Sequence, residues 1–136
     1  MSSKKPVIGR RELFALPKLG LKNLVGKIDS GAHTTSLHAA EITPFHLHND
    51  LWVRFRTVDD LICEAPVERT KRVRSSNGGV SERYFIKASL RTKDHRSHAT
   101  LITLADRSKM ACPMLIGRRY LRYYLIDCGR QFVLGK

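Results

Sequence analysis

One stretch of the chain has residue types and spacing that suit hydrolytic chemistry: Lys27-Ile28-Asp29-Ser30-Gly31-Ala32-His33-Thr34-Thr35-Ser36. An apolar lead-in ends on a carboxylate. Gly31 lets the backbone reverse tightly, the small Ala32 admits a neighbouring backbone, and Ser30 sets a hydroxyl beside the acid. Such a turn has two readings. It is an Asx turn joining two strands, or it presents Asp29 to a substrate. Hydrolysis by carboxylates needs two of them, held close enough to share a proton. The ionised one acts as base on a water, and the protonated one polarises the scissile carbonyl. This chain has a single Asp-Ser-Gly, and Asp59, Asp60, Asp106 and Asp127 lack its small-residue turn.

Other chemistries find less support. Six histidines, His33, His38, His46, His48, His95 and His98, raise the question of metal, with Cys63 and Cys112 as candidate thiolates. HExxH is absent. His46 and His48 would point to opposite faces of a strand, His95 and His98 would share a face only in a helix, and the spacing of His33 and His38 suits neither. No metal site and no cofactor is expected. Serine catalysis lacks a G-x-S-x-G. Lysine and arginine number 25 against 12 acids, a net charge of +13. That excess calls for an anionic partner: an acidic peptide, nucleic acid or the ribosome. No zinc-finger spacing, RRM signature or GXXG clamp accompanies it, so nucleic acid is not required. Trp52 with Arg54 and Arg56 is the one candidate stacking face.

The elements that must hold Asp29 read as strands. Leu51, Val53 and Phe55 alternate with Trp52, Arg54 and Arg56 in Asp50 to Thr57. Tyr84, Ile86, Ala88 and Leu90 share a face in Glu82 to Arg91, His98 to Leu104 is apolar enough for burial on both faces, and Cys112 to Ile116 is a short apolar strand. Tyr124 to Leu134 reads as a terminal hairpin turning near Cys128-Gly129, and Gly117 to Tyr124 as the one brief helix. Asn77-Gly78 is a hairpin signal requiring positive φ at both central residues, with Lys71, Arg72, Arg74 and Arg83 on its arms. That basic hairpin is either a solvated turn or a flap over a ligand. Three widely spaced cysteines, Cys63, Cys112 and Cys128, read as thiols in or near the core. Residues 1–136 are expected to form one all-β domain, without a membrane span or secretory leader, in the cytoplasm.

A second segment, Met114-Leu115-Ile116-Gly117-Arg118, sits downstream of Asp29. The pair resembles the retropepsin half of the aspartic proteases, where Asp-Thr/Ser-Gly-Ala is followed by two apolar residues and Gly, often continuing with Arg. The likeness extends over Val7 to Leu134, through VIGRRELFALPKLG, CEAPV and VRSSNGG, to the bacterial branch named ATP-dependent zinc protease. That branch includes RimB-type proteins, which accompany a glutamate ligase acting on a ribosomal protein. The resemblance implies a closed retropepsin-like barrel with one short helix near the C-terminus. It implies a homodimer whose Asp29, Ser30 and Gly31 form the catalytic turn. It also implies substrate-binding roles for Ala32, His33, Thr34, Arg118 and the flap residues Arg74, Ser76, Asn77, Gly78 and Arg83. The substrate implied is an acidic peptide, poly-α-glutamate free or as a tail on a ribosomal protein. Two features depart from the viral pattern. The chain between Asp29 and Gly117 is longer, with the insertion expected around Pro44 to Arg74. His33 stands where viral relatives carry an acid paired to the Gly-Arg arginine, which leaves Arg118 without that partner. A non-catalytic basic module on ribosome or RNA, and a zinc-dependent peptidase, are the alternatives.

Overall fold

A computed structural model describes residues 4–74 and 76–136, so part of the opening segment read for a leader lies outside the described residues. Among the described residues twelve strands, one α-helical turn and a 3-10 turn at Pro17–Leu19 follow in order: β1 Val7–Ile8, β2 Arg11–Leu16, the 3-10 turn, β3 Leu21–Ile28, β4 Thr35–His38, β5 Ala40–Leu47, β6 Asp50–Arg56, β7 Ile62–Pro66, β8 Arg69–Arg74, β9 Val80–Thr92, β10 Ser97–Ala105, β11 Met114–Ile116, α1 Arg118–Leu121 and β12 Leu125–Ile126. Six of them close a barrel in the order β10-β4-β11-β3-β2-β9, with β9 and β10 pairing antiparallel to complete the ring. The all-β closed barrel and the short helix near the C-terminus are as the sequence implies. No helix among the described residues is long and apolar enough to cross a membrane.

Alternation sends Phe14 and Leu16 of β2, Ile86, Ala88 and Leu90 of β9, and Ile102 and Leu104 of β10 into one core. Phe85 and Thr103 are buried as well, so the middles of β9 and β10 are covered on both faces. The segment after Gly117 makes a single turn of helix that buries Tyr120 and Leu121. Tyr120 packs edge-on to Phe14 and donates its hydroxyl to Leu90 O at 3.2 Å. Burial and the neighbouring Tyr124 push that phenol well above its ordinary range, so it stays a donor.

Four details differ from the sequence reading. The terminal segment forms no hairpin: β12 instead pairs in parallel with β1, far away in sequence. The extra chain folds as a separate three-stranded sheet, β5-β6-β7, which ends at Pro66; β8 already belongs to the Asn-Gly hairpin. The ladder of that hairpin ends at Arg74↔Val80, so it has no two-residue turn at Asn77-Gly78; Gly78 is at φ +87° and the Asn77 side chain accepts from Gly79 N–H at 3.2 Å. Cys63 and Cys112 are buried, but Cys128 is exposed.

Glu12 occupies an inward position of β2 and is fully buried. Its carboxylate accepts backbone N–H bonds from Gly9 at 2.7 Å, Val133 at 2.9 Å and Leu134 at 3.2 Å. A buried charge is tolerable when every lone pair of consequence is met. Glu12→Ala strands three donors and should cost on the order of 3 kcal/mol in urea unfolding, with Glu12→Gln losing less because one acceptor oxygen remains.

Candidate active site

β3 and β4 flank the Asp29 loop, yet they do not pair. β11 lies between them, parallel to β3 through Met114↔Gly26 and Ile116↔Ile28, and antiparallel to β4 through Met114↔Leu37. The loop 29–34 therefore arches over the end of β11. Asp29 N–H donates to Ile116 O at 3.0 Å, which fixes the root of the loop. Within it, Ala32 N–H donates to Asp29 O at 3.2 Å, and Gly31 N–H donates to Asp29 Oδ1 at 2.9 Å. The Asx turn and the presented carboxylate are thus one arrangement: the turn uses Oδ1, and among the described residues Oδ2 accepts no hydrogen bond.

Gly117 explains the demand for glycine after the two apolar residues. Its backbone is extended, at φ −89° and ψ 168°, so conformation does not require it. Space does: a Cβ there would lie 2.6 Å from Thr34 C and 2.8 Å from Thr34 O. Gly117 N–H donates to the buried Thr35 hydroxyl at 3.2 Å. The next two amides continue the seam, Arg118 N–H to Ala32 O at 2.8 Å and Arg119 N–H to His33 O at 3.3 Å. The Arg118 side chain folds back to donate from Nη1 to Gly31 O at 3.2 Å, so in place of an acid it finds a backbone carbonyl of the turn.

Asp29, Ser30, Gly31, Ala32, His33, Thr34 and Arg118 thus form one constellation. Ser30, Gly31 and His33 are exposed, and the His33 ring pairs with the Thr34 hydroxyl at 3.2 Å. Thr34 also borders a cavity of about 450 Å³ lined by Lys71, Arg72, Arg74 and Arg83 of the hairpin together with Phe85 and Thr103. Of these cations Arg72 has a carboxylate near, Glu82 at 3.9 Å. Ser76, Asn77 and Gly78 occupy the exposed tip and are not part of that wall. Two residues that sequence reasoning passed over matter here. Thr35 supports Gly117, and the Thr103 hydroxyl is buried with no hydrogen-bond partner among the described residues. A hydroxyl inside an otherwise apolar strand was the available signal for the latter.

The histidines do not gather. His38 accepts from Arg107 N–H at 2.8 Å, His98 stacks on Tyr123 at 3.7 Å, and His48 sits in a turn at φ 51° rather than alternating with His46 along a strand. Among the described residues no three His, Cys, Asp or Glu side chains form a metal-binding group.

The arch over β11, followed by the Ile-Gly seam, agrees with the sequence comparison. The profile of the RimB-like family, described as retropepsin-like aspartic endopeptidase RimB, matches residues 7–136. The chain belongs to the RimB-like family. Its relatives include two proteins named probable alpha-L-glutamate ligase. The one from Shewanella halifaxensis (strain HAW-EB4) is 35% identical over 144 residues, and the one from Desulfotalea psychrophila (strain LSv54 / DSM 12343) is 32% identical over 142. The alignments take in 100% and 97% of this chain but only 31% and 30% of those proteins, so a RimB-like chain spans about a third of their length. A crystal structure of Lpg0085, a Legionella pneumophila protein of unknown function, has the same fold. It superposes with a TM-score of 0.77 at 22% identity, over 96% of this chain and 98% of that one.

The tightest point in the RimB-like site is the contact of Gly117 with Thr34. Gly117→Ala should push the Asp29 loop outward and cost about 1–3 kcal/mol by chemical denaturation. Thr35→Val, which removes the hydroxyl under the same amide, should cost about 1–2 kcal/mol.

Proposed function

We propose that this protein is an aspartic-type peptidase that hydrolyses acidic chains, poly-α-glutamate free or as a tail on a ribosomal protein, as a homodimer. The observation that carries this reading is the Asp29 turn itself. It is rooted on Ile116, keeps Oδ2 available, and adjoins through Thr34 a cavity walled by four cations. Family membership supports the peptidase chemistry. The glutamate-ligase names of two relatives support glutamate as the residue being handled.

In this mechanism Asp29 of each copy contributes one carboxyl, and the two share a proton because like charges held close cannot both ionise. The ionised carboxylate takes a proton from water as its oxygen attacks the scissile carbonyl carbon. The protonated partner gives its proton to the carbonyl oxygen, and a tetrahedral diol forms. As the diol collapses, the C–N bond breaks and the leaving nitrogen collects a proton from the carboxyl that deprotonated water, while the other carboxylate regains a proton from a diol hydroxyl, whose oxygen stays on carbon as the new carbonyl oxygen. Asp29 Oδ1 stays engaged with Gly31 N–H, which holds the carboxylate plane while Oδ2 handles protons. Around the cleft, Arg74 and Arg83 offer planar forks to substrate carboxylates, and Lys71 offers a point charge.

Asp29→Asn keeps an acceptor for Gly31 N–H but removes the base. It should leave the thermal midpoint near wild type while lowering turnover of oligo-α-glutamate at least about a thousandfold. Wild type should cut α-linked glutamate oligomers faster than γ-linked or apolar peptides, with the preference shrinking as salt rises. Arg74→Gln or Arg83→Gln should raise KM about two- to tenfold. Chelators should leave the rate unchanged, because the proton transfers above use no metal ion. Full activity in Asp29→Asn, in a species monomeric by light scattering, or only after zinc is restored would overturn the dyad. Faster cleavage of apolar peptides would overturn the acidic substrate.

A further inference from the structure

Outside the flap cavity lies a second, more polar one. It has a volume of about 480 Å³ and is ringed by Arg69, Lys87, Arg119 and Arg122, with Glu68 the one acid on its wall. All four cations are exposed, and among the described residues none of them forms an ion pair. Elsewhere this protein does pair its arginines: Arg54 meets Glu64 at 2.6 Å, and Arg130 meets Asp127 at 2.8 Å. Four cations with one acid among them repel one another, and an anionic ligand would offset that repulsion.

The two cavities adjoin. Arg69 lies opposite Phe85 in the β8–β9 ladder and covers its ring at 4.8 Å, while Phe85 also lines the flap cavity. Arg119 is tied through its own amide to His33 O in the Asp29 loop. The basic surface then continues over Arg122 into a third, smaller cavity with Lys4, Lys5 and Arg96. Burial first, then Arg96 and Arg122, hold His98 at that end below its ordinary range.

We infer that Arg69, Lys87, Arg119 and Arg122 form an exosite that grips an acidic polypeptide where it leaves the flap cavity. This inference rests on the acidic-chain reading above. An extended peptide advances about 3.3 Å per residue with alternating side chains, so same-side glutamates recur about every 7 Å and can meet successive forks. The aromatic surface favours a polycarboxylate over single-stranded nucleic acid. Tyr123 is stacked by His98 and covered by Arg122 at 4.9 Å, and Phe85 is covered by Arg69, so among the described residues these cavities offer no uncovered ring for base stacking. The consequence is length discrimination: long acidic chains gain the exosite, and short ones do not reach it.

The test is fluorescence anisotropy at low salt on the full chain carrying Asp29→Asn, with labelled oligo-α-glutamates of about four and about twelve residues. Adding Lys87→Gln with Arg119→Gln should weaken the long probe about three- to tenfold and leave the short one within about twofold. Lys87→Arg with Arg119→Lys, which keeps both charges, should restore the long-probe affinity. Unchanged long-probe binding, equal loss for both lengths, or no binding of either probe would overturn the exosite. So would tighter binding of a length-matched oligouridylate that loses more on substitution, which would identify RNA as the occupant. Hydrolysis without Asp29 substituted separates the two ideas. Cleavage whose length dependence survives the Lys87 and Arg119 changes leaves the peptidase and removes the exosite. Exosite-dependent binding without cleavage supports the exosite and removes the peptidase.

Discussion

A three-residue strand carries the site. β11 spans only Met114–Ile116, yet it keeps β3 and β4 apart and receives the Asp29 amide on its last carbonyl. If β3 and β4 paired directly, loop 29–34 would be a plain connection, free to collapse on itself. With β11 between them it must arch, and the arch is filled from beneath by Gly117 against Thr34. Burial of Met114 and Ile116 in the core couples this local geometry to global stability, because the strand cannot withdraw without opening the barrel. Placement of one carboxylate thus draws on the packing of the whole sheet. Local stiffness alone would not suffice.

Charge is distributed unevenly over the molecule. On the small β5-β6-β7 sheet the arginines are answered by acids, with Arg54 against Glu64 and Arg56 against Glu41 at 3.1 Å. Tight turns are closed the same way, Arg96 by Asp94 and Arg130 by Asp127, both at 2.8 Å. Around the hairpin and α1 the cations stand in near isolation. A net charge of +13 is therefore an average over one neutralised region and one strongly positive face. Steering by that face would fall off with salt, whereas the pairs on the small sheet contribute little to stability at any ionic strength.

Much of the site was legible because its signals are local. Asp29-Ser30-Gly31 and Leu115-Ile116-Gly117 are short, ordered along the chain, and specific as a pair. Alternation in β6 and β9 marked the buried faces correctly, including Val53, Phe55, Ile86 and Leu90. What escaped was long-range. Nothing in Tyr124 to Leu134 announces that Leu125 and Ile126 pair with Val7 and Ile8, so two apolar stretches either side of Cys128-Gly129 read as a hairpin. Arg118 looked unpartnered because a backbone carbonyl leaves no trace in residue types. Nor does residue type show that three backbone donors from both ends of the domain converge on Glu12. The cluster of Arg69, Lys87, Arg119 and Arg122 joins three elements, and no window along the sequence contains it.

The parallel pairing of β1 with β12 has a mechanical consequence. Leu125 N–H donates to Pro6 O, Asp127 N–H to Ile8 O, and Arg10 N–H to Arg130 O, while Glu12 clips Gly9 and Val133 through the same oxygen. Tension pulling the N-terminal strand one way and the C-terminal strand the other slides these parallel strands past each other. The bonds are then loaded together in shear; they do not open one after another as in an unzipping hairpin. Resistance to stretching along that axis is set by the whole latch, and the barrel behind it, with Asp29 on its β3–β11 seam, is shielded until the latch gives way.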